Sequence, residues 1–533
     1  MDHQRRLLCM ALAGAGILPA AHAQGASKRT PSGKGFEEPG TAQEYVATMR
    51  LGMQASDYLE MAYQPAARRN AVGAADFDVM RREGGIDHVR IPANCAARAD
   101  AEGVISEAFL RTLDEQIDLV LERFERVVVD PLHHYLQWFG AHQYDKVYDD
   151  YQTIGQFNTQ QHAARATAMW VQLAKRYQDR SLRLSFDLLN EPGHKKPPEG
   201  YPPGLSPQEL NDWFAVVIPA IRATGGNNAN RVVWLEPFDN QLQLLAIPTN
   251  AGPLGVSPHF YTPFPFTHRD GTLTAPGMAN YTQDILYAQE WSKANGVPVW
   301  IGEVGVSKNN SATRQPRPDA DRAEYIAHVR NTRETTGVPM CLWAFNSTFA
   351  LYDSASQRWM PGIRQALTGL PQPYPVRPIP EFTALKGGRI ARGYYSKSLW
   401  PGFRWDPATG ILTSDANPGG NERQVSIVFP DIKVESGQSW IVRAAEFTGS
   451  WRIGAGAAFE DAERADMSGK RGVDVKAIND KGQPFYAWRP SAPGGFETAF
   501  GTLVSTGTFL SVDLTLSAGS PRGQIRFLAI QSG

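Results

Sequence analysis

The sequence predicts a (β/α)8 TIM barrel followed by a C-terminal all-β sandwich. In the first part, strand-like and helix-like segments alternate over about 300 residues, which is the pattern of a closed parallel barrel. Several of these strands are continuous apolar runs, as strands buried on both faces are. An open doubly wound sheet is the alternative, but no G-x-G-x-x-G motif follows the first strand, so a dinucleotide site is not indicated. In the second part, short apolar runs separated by Gly, Pro, Asn and Asp replace the helices.

Residues 1–23 have the pattern of an export signal. Arg5 and Arg6 precede an apolar run over residues 7–18, and Ala21-His22-Ala23 forms a small-x-small cleavage site. The arginine pair is a feature of twin-arginine export signals, but the flanking residues match that motif weakly, so export by the general secretory route is favoured. We therefore expect a secreted or periplasmic protein with a flexible lead-in over residues 24–41, which are rich in Gly, Ser, Lys and Pro. No later run reaches the roughly 18 apolar residues of a membrane span, so no membrane association is predicted.

The barrel, which we expect to be the catalytic domain, is predicted within residues 42–370. Its strands are short apolar runs, and its helices repeat apolar residues about every 3.6 positions, most clearly in residues 106–124 behind the capping residue Ser106. The predicted strands are residues 48–54, 87–92, 126–130, 182–189, 231–236, 255–260, 298–302 and 339–345. The predicted helices are residues 75–84, 106–124, 160–177, 206–223, 281–294 and 319–335.

The composition changes after the barrel. Residues 371–380 (PQPYPVRPIP) hold five prolines and predict a stiff linker or a wrapped connection. Beyond it, residues 381–533 are predicted to form the β-sandwich, with strands at residues 424–429, 439–444, 450–453, 472–478, 485–488, 501–503, 509–516 and 524–529. Carbohydrate binding and core packing are both open for the tryptophans of this part, which are Trp400, Trp405, Trp440, Trp451 and Trp488.

Charge and cysteine content narrow the classes of function. The 53 basic and 54 acidic residues nearly cancel, so nothing favours nucleic acid or an anionic membrane as a partner, and we expect a monomer. Cys95 and Cys341 remain after the signal, and one disulfide or two buried free thiols are both open. The chain has no C-x-x-C pair and no H-E-x-x-H motif, so neither a metal nor a cofactor is predicted.

Two predicted strands end in an acidic residue at the place where barrels carry their chemistry. Residues 182–192 (LRLSFDLLNEP) bring Glu191 to the end of strand four, and residues 297–304 (VPVWIGEV) bring Glu303 to the end of strand seven. Taken singly, each is equally well a solvated loop acid. Because strands four and seven lie across a closed barrel from each other, we expect the two carboxyl groups to be close neighbours.

Other polar and aromatic residues fall at the same ends of the predicted strands. Each has a simple structural alternative: a salt bridge for the arginine, a loop position for the histidines after strand three, core packing for the tryptophan. Together they converge on one face of the barrel. They are Arg90, His133, His134, Asn190, His259, Tyr261 and Trp343.

At these residues the chain resembles glycoside hydrolase family five, the cellulase-like retaining enzymes, over roughly residues 45–370. Residues 190–192 (NEP) resemble the acid/base signature of the family, and residues 301–305 (IGEVG) resemble its nucleophile signature. Arg90, His133, His259 with Tyr261, and Trp343 match its remaining positions. The segment DPLHH at residues 130–134 is looser than the usual form, which leaves His133 and His134 open, with His133 favoured.

The resemblance implies a cofactor-free exported endo-β-1,4-glucanase that acts on cellulose-like polysaccharide or oligosaccharide. Glu303 is then the ionised nucleophile, and Glu191 is the acid/base, protonated at first because the charge on Glu303 raises its pKa. Arg90 and Tyr261 would hold Glu303, and the other residues would bind or orient the sugar. Mannan and mixed-linkage glucan are competing substrates. A non-catalytic carbohydrate-binding protein on the same barrel is the alternative of another class.

Overall fold

The computed structural model describes most of the barrel and part of the sandwich. The described residues are 36–61, 71–135, 138, 157–193, 204–311, 313–371, 383–392, 399–432, 439–448, 451–458, 487–489, 497–499, 509–516 and 518–532. The predicted signal peptide, residues 24–35 of the predicted lead-in and residues 372–380 of the predicted linker lie outside this set.

Eight parallel strands form a closed barrel. They are β1 Leu51–Gln54, β2 His88–Pro92, β3 Arg126–Asp130, β4 Leu184–Asp187, β5 Val233–Leu235, β6 Leu254–Val256, β7 Ile301–Val304 and β8 Met340–Leu342. Neighbours pair in the order β6-β5-β4-β3-β2-β1-β8-β7. The ring closes between β6 and β7, where Val256 bridges Val299 and accepts a hydrogen bond from the Trp300 amide at 2.9 Å. Every residue of these strands is buried, which explains why their apolar runs are legible in the sequence.

Helices surround this barrel. The α-helices of the described residues are α1 Ala42–Ala47, α2 Ala74–Arg82, α3 Glu107–Leu121, α4 Thr159–Tyr177, α5 Pro207–Arg222, α6 Phe264–His268, α7 Ala275–Asn295, α8 Asp319–Thr336 and α9 Ile363–Thr368. Short 3₁₀ turns lie at Cys95–Arg98, Gly226–Ala229, Phe238–Asn240, Leu242–Leu244 and Ser347–Phe349. Caps set several helix starts: the Ser206 side chain accepts from the Glu209 amide before α5, and Asn158 accepts from Gln161 before α4. Ser106 does stand at the N-cap of α3, but its side chain makes no capping hydrogen bond.

The N-terminal end of the barrel is covered by α1. The Tyr45 hydroxyl donates to the carbonyls of Val127 at 2.9 Å and Arg183 at 2.8 Å, and its ring packs on Trp234. The segment just before α1 also contacts the barrel, since the Glu38 carboxylate accepts a hydrogen bond from the Leu182 amide at 2.6 Å. Residues 36–41, the end of the predicted lead-in, therefore lie against the barrel.

Glycines make room for large side chains inside the barrel. A Cβ atom at Gly255 would lie 2.2 Å from the Trp234 ring, and one at Gly302 would lie 2.2 Å from the Ser257 hydroxyl and 2.7 Å from Nε2 of His259. Such distances leave no space for a side chain. Gly302 therefore belongs to the packing that holds His259, just after β6, in place.

Two antiparallel sheets follow the barrel, together with a small hairpin of β9 Tyr352–Asp353 and β10 Arg358–Trp359. The six-stranded sheet contains β11 Thr383–Ala384, β13 Phe403–Asp406, β14 Ile411–Ser414, β16 Ser439–Thr448, β19 Glu497–Ala499 and β21 Gly523–Ser532. The five-stranded sheet contains β12 Arg389–Arg392, β15 Arg423–Phe429, β17 Trp451–Ala458, β18 Ala487–Arg489 and β20 Phe509–Leu516. Trp405 of β13 packs against Phe429 of β15 with ring centroids 5.8 Å apart, so the two sheets face each other as a sandwich.

Some of the sequence predictions for the sandwich can be compared with the structure, and others fall outside the described residues. Trp405 is a packing residue, because it also contacts Phe527 and its indole donates to the Gly387 carbonyl at 2.9 Å. Trp400 is exposed, whereas the side chains of Trp440, Trp451 and Trp488 lie outside the described set. The strands predicted at 472–478 and 501–503 also fall outside the described residues. Strands β11 to β14 were not predicted, since runs of four residues or fewer with mixed polarity give little signal.

Both remaining cysteines are free thiols. Cys95 and Cys341 are buried and unbridged, and burial raises the pKa of both thiols well above the usual range. Of the two alternatives that the sequence left open, the buried free thiols are therefore the one observed. In the described part of the chain, no helix combines the length and the hydropathy that crossing a membrane requires.

Candidate active site

Arg90 occupies the centre of the barrel at the C-terminal ends of the strands. It is fully buried, and its guanidinium contacts side chains from five other strands or the turns that follow them. The acceptors are Gln54 at 3.1 Å, Asp130 at 3.0 Å, Asp187 at 2.9 Å, Asn190 at 3.0 Å, Glu236 at 2.9 Å and Glu303 at 2.8 Å. One guanidinium therefore faces four carboxyl groups.

This imbalance of charge is visible in the pKa values of the cluster. Burial raises the pKa of Asp130 and of Asp187 to about 6 each, although Arg90 opposes the rise. Burial raises the pKa of Glu236 further, to about 8, with His259 and Arg90 in opposition. The carboxyl groups of the cluster therefore keep their protons to higher pH than free carboxyl groups do, because burial penalises the ionised forms.

Glu303, in β7, has both carboxyl oxygens fixed by hydrogen bonds. Arg90 donates to Oε1 at 2.8 Å and the Tyr261 hydroxyl donates to Oε2 at 2.7 Å. Nδ1 of His259 lies 3.7 Å from Oε2. Burial raises the pKa of Glu303, and His259 and Arg90 offset part of the rise. Only 5% of this side chain is exposed, so its carboxyl group is held at the bottom of the site.

Glu191 follows β4 and lies on the side of the site opposite Glu303. Its side chain is 44% exposed, and its Oε1 lies 3.0 Å from Nδ1 of His259. Its backbone has φ of 46° and donates from the amide to Oε2 of Glu236 at 2.6 Å. Burial alone would raise the pKa of Glu191, but the hydrogen bond from His259 and the charge on that ring lower it to about 2.

The two glutamates converge as the barrel topology predicts. One carboxyl oxygen of Glu191, one of Glu303 and one ring nitrogen of His259 all lie within 4.8 Å of one another. The geometric expectation from strands four and seven is met by these distances. The two acids share a histidine that contacts both.

The order of protonation differs from the sequence expectation. From the sequence we expect a protonated Glu191 and an ionised Glu303, whereas the substrate-free site lowers the pKa of Glu191 and raises that of Glu303. Two features cause the reversal: Nδ1 of His259 is closer to Glu191, at 3.0 Å against 3.7 Å, and Glu303 is much more deeply buried. The expectation considered only the repulsion between the two acids and left out the histidine between them.

The two histidines after β3 have different surroundings. Nδ1 of His133 lies 2.6 Å from Oδ2 of Asp130, and its ring stacks on Trp343 with centroids 5.1 Å apart and an angle of 10°. The Asn190 amide donates to the His133 carbonyl at 3.2 Å. His134 is half-buried and meets His133 edge to face at 4.6 Å. Burial lowers the pKa of His133 to about 3, so its ring is neutral at working pH.

An aromatic wall borders the cleft beside Glu303. The Tyr261 ring meets the His268 ring edge to face, with centroids 4.5 Å apart, and the Phe264 ring stacks on the same histidine at 4.4 Å and 9°. The ring centroid of Phe349 lies 5.9 Å from that of Tyr261 and 5.1 Å from that of His268. Phe264 is 45% exposed, so an apolar surface is presented at the rim.

Sequence reasoning did not single out four members of this site: Gln54, Asp130, Asp187 and Glu236. A signal was present for two of them, since Asp130 and Glu236 end apolar runs (RVVVD and RVVWLE) just as Glu191 and Glu303 do. Asp187 lies inside its apolar run and Gln54 ends a run of mixed character. No pattern in the sequence distinguishes those two from ordinary strand residues.

Three of these groups have the donor types and the spacing of a metal site. Glu191, His259 and Glu303 offer one ligand atom each within 4.8 Å. The same atoms are already used, because Glu303 accepts from Arg90 and Tyr261 and the histidine nitrogen contacts Glu191. A guanidinium at 2.8 Å from the carboxylate also opposes a cation there. We assign these donors to hydrogen bonding.

Comparison with known proteins agrees with this architecture. Endoglucanase A of Clostridium longisporum is 25% identical over 301 residues, which are 52% of this chain and 53% of that protein. Endoglucanase A of Ruminococcus albus is 28% identical over 227 residues, 37% of this chain and 57% of that protein. The chain thus spans about half the length of the curated relatives it matches.

Solved structures share the barrel. The endoglucanase Cel5A of Thermotoga maritima superposes with a TM-score of 0.51 at 23% identity, over 61% of this chain and 99% of that one. A broad-specificity endoglucanase of Clostridium cellulovorans gives 0.51 at 21%, over 63% and 100%. At these identities the likeness establishes the fold. The family model of cellulases, glycosyl hydrolase family 5, matches residues 55–348, which is more than half of the chain. The chain therefore belongs to glycosyl hydrolase family 5.

Proposed function

We propose that the protein is an endo-β-1,4-glucanase that cleaves β-linked glucan with retention of anomeric configuration. One observation carries the proposal: one carboxyl oxygen of Glu191 and one of Glu303 lie within 4.8 Å of each other at the C-terminal face of the barrel. Retaining glycosidases keep their two carboxyl groups about 5 to 5.5 Å apart, whereas inverting enzymes need about 6.5 to 9.5 Å to admit a water. Membership of glycosyl hydrolase family 5 supports the same class of reaction.

Glu303 is the nucleophile in this proposal. Two donors, Arg90 at 2.8 Å and Tyr261 at 2.7 Å, stabilise its negative charge and fix the direction of its oxygens. One oxygen attacks the anomeric carbon as the bond to the leaving oxygen breaks, which forms a glycosyl-enzyme. Water then gives a proton to the deprotonated Glu191, attacks the same carbon and breaks its bond to Glu303, which leaves as the carboxylate.

Glu191 is the acid and then the base. It is the more exposed acid, and its Oε1 is 3.0 Å from Nδ1 of His259. Burial would lower the pKa of His259, but the facing Glu236, Glu303 and Glu191 raise it well above the usual range, so the ring is protonated in the substrate-free site. A bound sugar excludes water from Glu191 and favours its neutral form, and the proton then moves from Nδ1 to Glu191 and on to the leaving oxygen.

The remaining predicted residues bind the sugar. Asn190 lies beside Arg90 and the acid, where its amide can reach the 2-hydroxyl of the sugar being cleaved. Trp343, stacked on His133, offers a flat face for a sugar ring. The aromatic wall around Phe264 extends that apolar surface along the rim.

Cellulose-like glucan is the first candidate substrate and mannan the second. The similar Thermotoga maritima Cel5A is described in complex with cellobiose and in complex with mannotriose. Both polymers present equatorial β-1,4 linkages of the same length to the two carboxyl groups. We further propose export of the protein, which residues 1–23 support.

Hydrolysis of soluble polysaccharides tests the proposal. Purified protein is incubated with carboxymethyl cellulose, mixed-linkage glucan, xyloglucan and mannan, and released reducing ends are measured. We expect the fastest release from the unsubstituted β-1,4-glucans, and proton NMR of the first product should show the β anomer before mutarotation. Formation of the α anomer first would contradict the retaining mechanism. Binding without release of reducing ends from any polymer would favour the non-catalytic alternative.

A further inference from the structure

We propose that Glu236, with the loop that it begins, positions the acid/base carboxyl of Glu191 and the ring of His259. We call residues 236–241 the β5 loop. This inference rests on the proposed function, since it assigns Glu236 to the proton-transfer half of that reaction. Glu236 does not face the sugar, because it is fully buried beneath the two residues it holds.

The first contact concerns the backbone of Glu191. With φ of 46°, this residue adopts the left-handed conformation, which is costly for a side chain other than glycine or asparagine. Its amide donates to Oε2 of Glu236 at 2.6 Å. This short hydrogen bond offsets part of the strain and fixes the direction in which the Glu191 side chain leaves the turn.

The second contact concerns His259. Oε1 of Glu236 lies 3.3 Å from Nε2 of His259 and accepts a hydrogen bond from Arg90 at 2.9 Å. Nδ1, at the other side of the same ring, is 3.0 Å from Glu191. The carboxyl group of Glu236 therefore forms an ion pair with the ring that contacts the acid and favours the protonated form of that ring.

The rest of the β5 loop makes the same two connections through its backbone and amide groups. The Asp239 amide donates to the Pro192 carbonyl at 2.7 Å, just after Glu191. The Asn240 side-chain oxygen accepts from the His259 amide at 2.7 Å. Both residues have positive φ, 50° and 57°, so the loop is held in a sharply turned conformation. One short segment thus ties the turn after β4 to the end of β6.

A carboxylate suits this position better than an amide does. Glu236 accepts from the Glu191 amide on one oxygen and from Arg90 on the other. Glutamine has the same shape but only one acceptor oxygen, so it loses one of the two bonds and presents an N–H to a donor instead. The charged and titratable groups that face Glu191, Glu236 and His259 from the neighbouring elements are Arg90, Asp130, His133, Asp187, His268 and Glu303.

Kinetics with two aryl cellobiosides separate positioning of the acid from general structural damage. Departure of 2,4-dinitrophenolate needs no proton, whereas departure of phenolate does. We expect Glu236→Gln to lower kcat/KM about 100-fold for phenyl cellobioside and by less than about tenfold for the dinitrophenyl compound, since general acid catalysis contributes roughly 10²- to 10⁴-fold. Equal losses on both substrates would overturn the proposal.

Asp187→Asn is the matched control. Asp187 is as deeply buried and also binds Arg90 at 2.9 Å, and it acts on His259 through its charge, without the direct ion pair that Glu236 forms. We expect it to lower kcat/KM for both aryl cellobiosides in the same proportion. If Glu236→Gln does not fold, Asn240→Ala removes the acceptor of the His259 amide without changing the buried charge, and it should show the same selective loss. Equal losses on both substrates would overturn the proposal there too.

A measurement without turnover keeps the inference separate from the proposed function. The ring of His259 is titrated by NMR in wild type, Glu236→Gln and Asp187→Asn. We expect Glu236→Gln to move deprotonation of His259 to lower pH by a clearly larger step than Asp187→Asn does, because Glu236 lies 3.3 Å from the ring whereas Asp187 acts on it only through its charge. An unchanged titration in Glu236→Gln would overturn the inference. Wild-type protein that cleaves no β-glucoside would instead refute the proposed function, and the titration would still decide the role of Glu236.

Discussion

Glu191 and Glu303 carry the same side chain in two very different environments. Glu303 is nearly inaccessible and holds two hydrogen bonds from Arg90 and Tyr261. Glu191 is half-exposed and shares His259. A group that must attack in one direction benefits from fixed oxygens, and a group that must give and take a proton benefits from access and from a neighbouring proton carrier. The environments therefore suit the roles we propose for each acid.

Replacing the proposed nucleophile should abolish turnover without unfolding the protein. Glu303→Gln keeps the shape and the contact with the Tyr261 hydroxyl but removes the negative charge that attacks the sugar. We expect kcat on carboxymethyl cellulose to fall by roughly 10⁴-fold or more. Circular dichroism should show an intact fold. Kinetics equal to wild type would rule out Glu303 as the nucleophile.

Removing the phenol beside Glu303 should have a smaller effect and a defined pH signature. Tyr261→Phe deletes a 2.7 Å hydrogen bond to Oε2 that favours the ionised carboxylate. Loss of a hydrogen bond to a charged group, about 1.5 to 3 kcal/mol, corresponds to roughly a 10- to 100-fold fall in kcat/KM. Because the pKa of Glu303 rises when the donor is lost, the acidic limb of the pH profile should move to higher pH.

A tyrosine remote from the site provides the control. The hydroxyl of Tyr281 donates to the sulfur of Met340 inside the barrel wall. Tyr281→Phe makes the same change of atoms in a buried place, so its pH profile should match that of wild type. A parallel shift of the acidic limb in both variants would mean that the effect of Tyr261→Phe does not arise from its bond to Glu303.

At the scale of elements, the sequence predicts the strands that are buried on both faces, and it misses elements whose form depends on contacts with distant parts of the chain. Strand β3 is predicted and observed with the same bounds, residues 126–130, because a short apolar run of this kind is typical of a strand buried on both faces. Helix α6 is missed, since its five residues include a proline and show no helical period. Its form depends on contacts such as the bond from Thr267 to the Tyr261 carbonyl at 2.5 Å.

The same distinction applies to the residues of the site. Glu191 and Glu303 are predictable because each ends an apolar run inside a recognisable motif. Glu236 ends such a run too, but its role depends on the turned backbone of Glu191 and on the ring of His259, which come from other strands. A contact between three strands has no signature in any one of them. The proton order of the substrate-free site is not predictable from the sequence for the same reason, since His259 comes from the segment after β6.

One strand position links packing and chemistry. At Gly302, a Cβ atom would collide with Ser257 at 2.2 Å and with the His259 ring at 2.7 Å. Gly302→Ala should therefore displace the ring from Glu191 and Glu236, lowering kcat/KM by about 100-fold. Overpacking of this kind also costs roughly 1 to 3 kcal/mol of the free energy of unfolding.

The control for this substitution is a glycine with open space around it. Nothing lies within 4 Å of a Cβ atom at Gly420, and its backbone does not have positive φ. Gly420→Ala should leave both kcat/KM and denaturant unfolding close to wild type. If Gly302→Ala were equally silent, the barrel would have to accommodate the methyl group by moving β6, and the close packing of His259 would not matter for catalysis.

At the scale of the whole molecule, buried titratable groups make stability depend on pH in two opposite ways. Burial raises the pKa of Glu60 and of Glu236 to about 8, so the folded chain binds protons that the unfolded chain has released, and this stability is lost as pH rises from about 4.5 through 8. Burial lowers the pKa of His133 to about 3 and of His328 to about 4, so their contribution is lost as pH falls below about 6.5. Above about pH 6.5 the contribution of these two histidines no longer changes, whereas the contribution of the two glutamates still falls as pH rises.

Glu60 isolates that effect because it lies outside the proposed machinery, in the loop after β1, where its carboxyl group accepts hydrogen bonds from the amides of Asp57 and Tyr58. Wild type should lose thermal stability between pH 6.5 and 8. The side chain of Glu60→Gln stays neutral at every pH, so the Tm of this variant, measured by calorimetry at a fixed scan rate, should fall less over that interval than the Tm of wild type. The Tm of the variant relative to wild type should therefore increase as pH rises. Glu290→Gln, which alters an exposed carboxyl paired with Lys293, should follow the wild-type curve. Parallel curves for wild type and Glu60→Gln would mean that Glu60 is ionised in the folded protein throughout this range, with the two amide hydrogen bonds outweighing its burial.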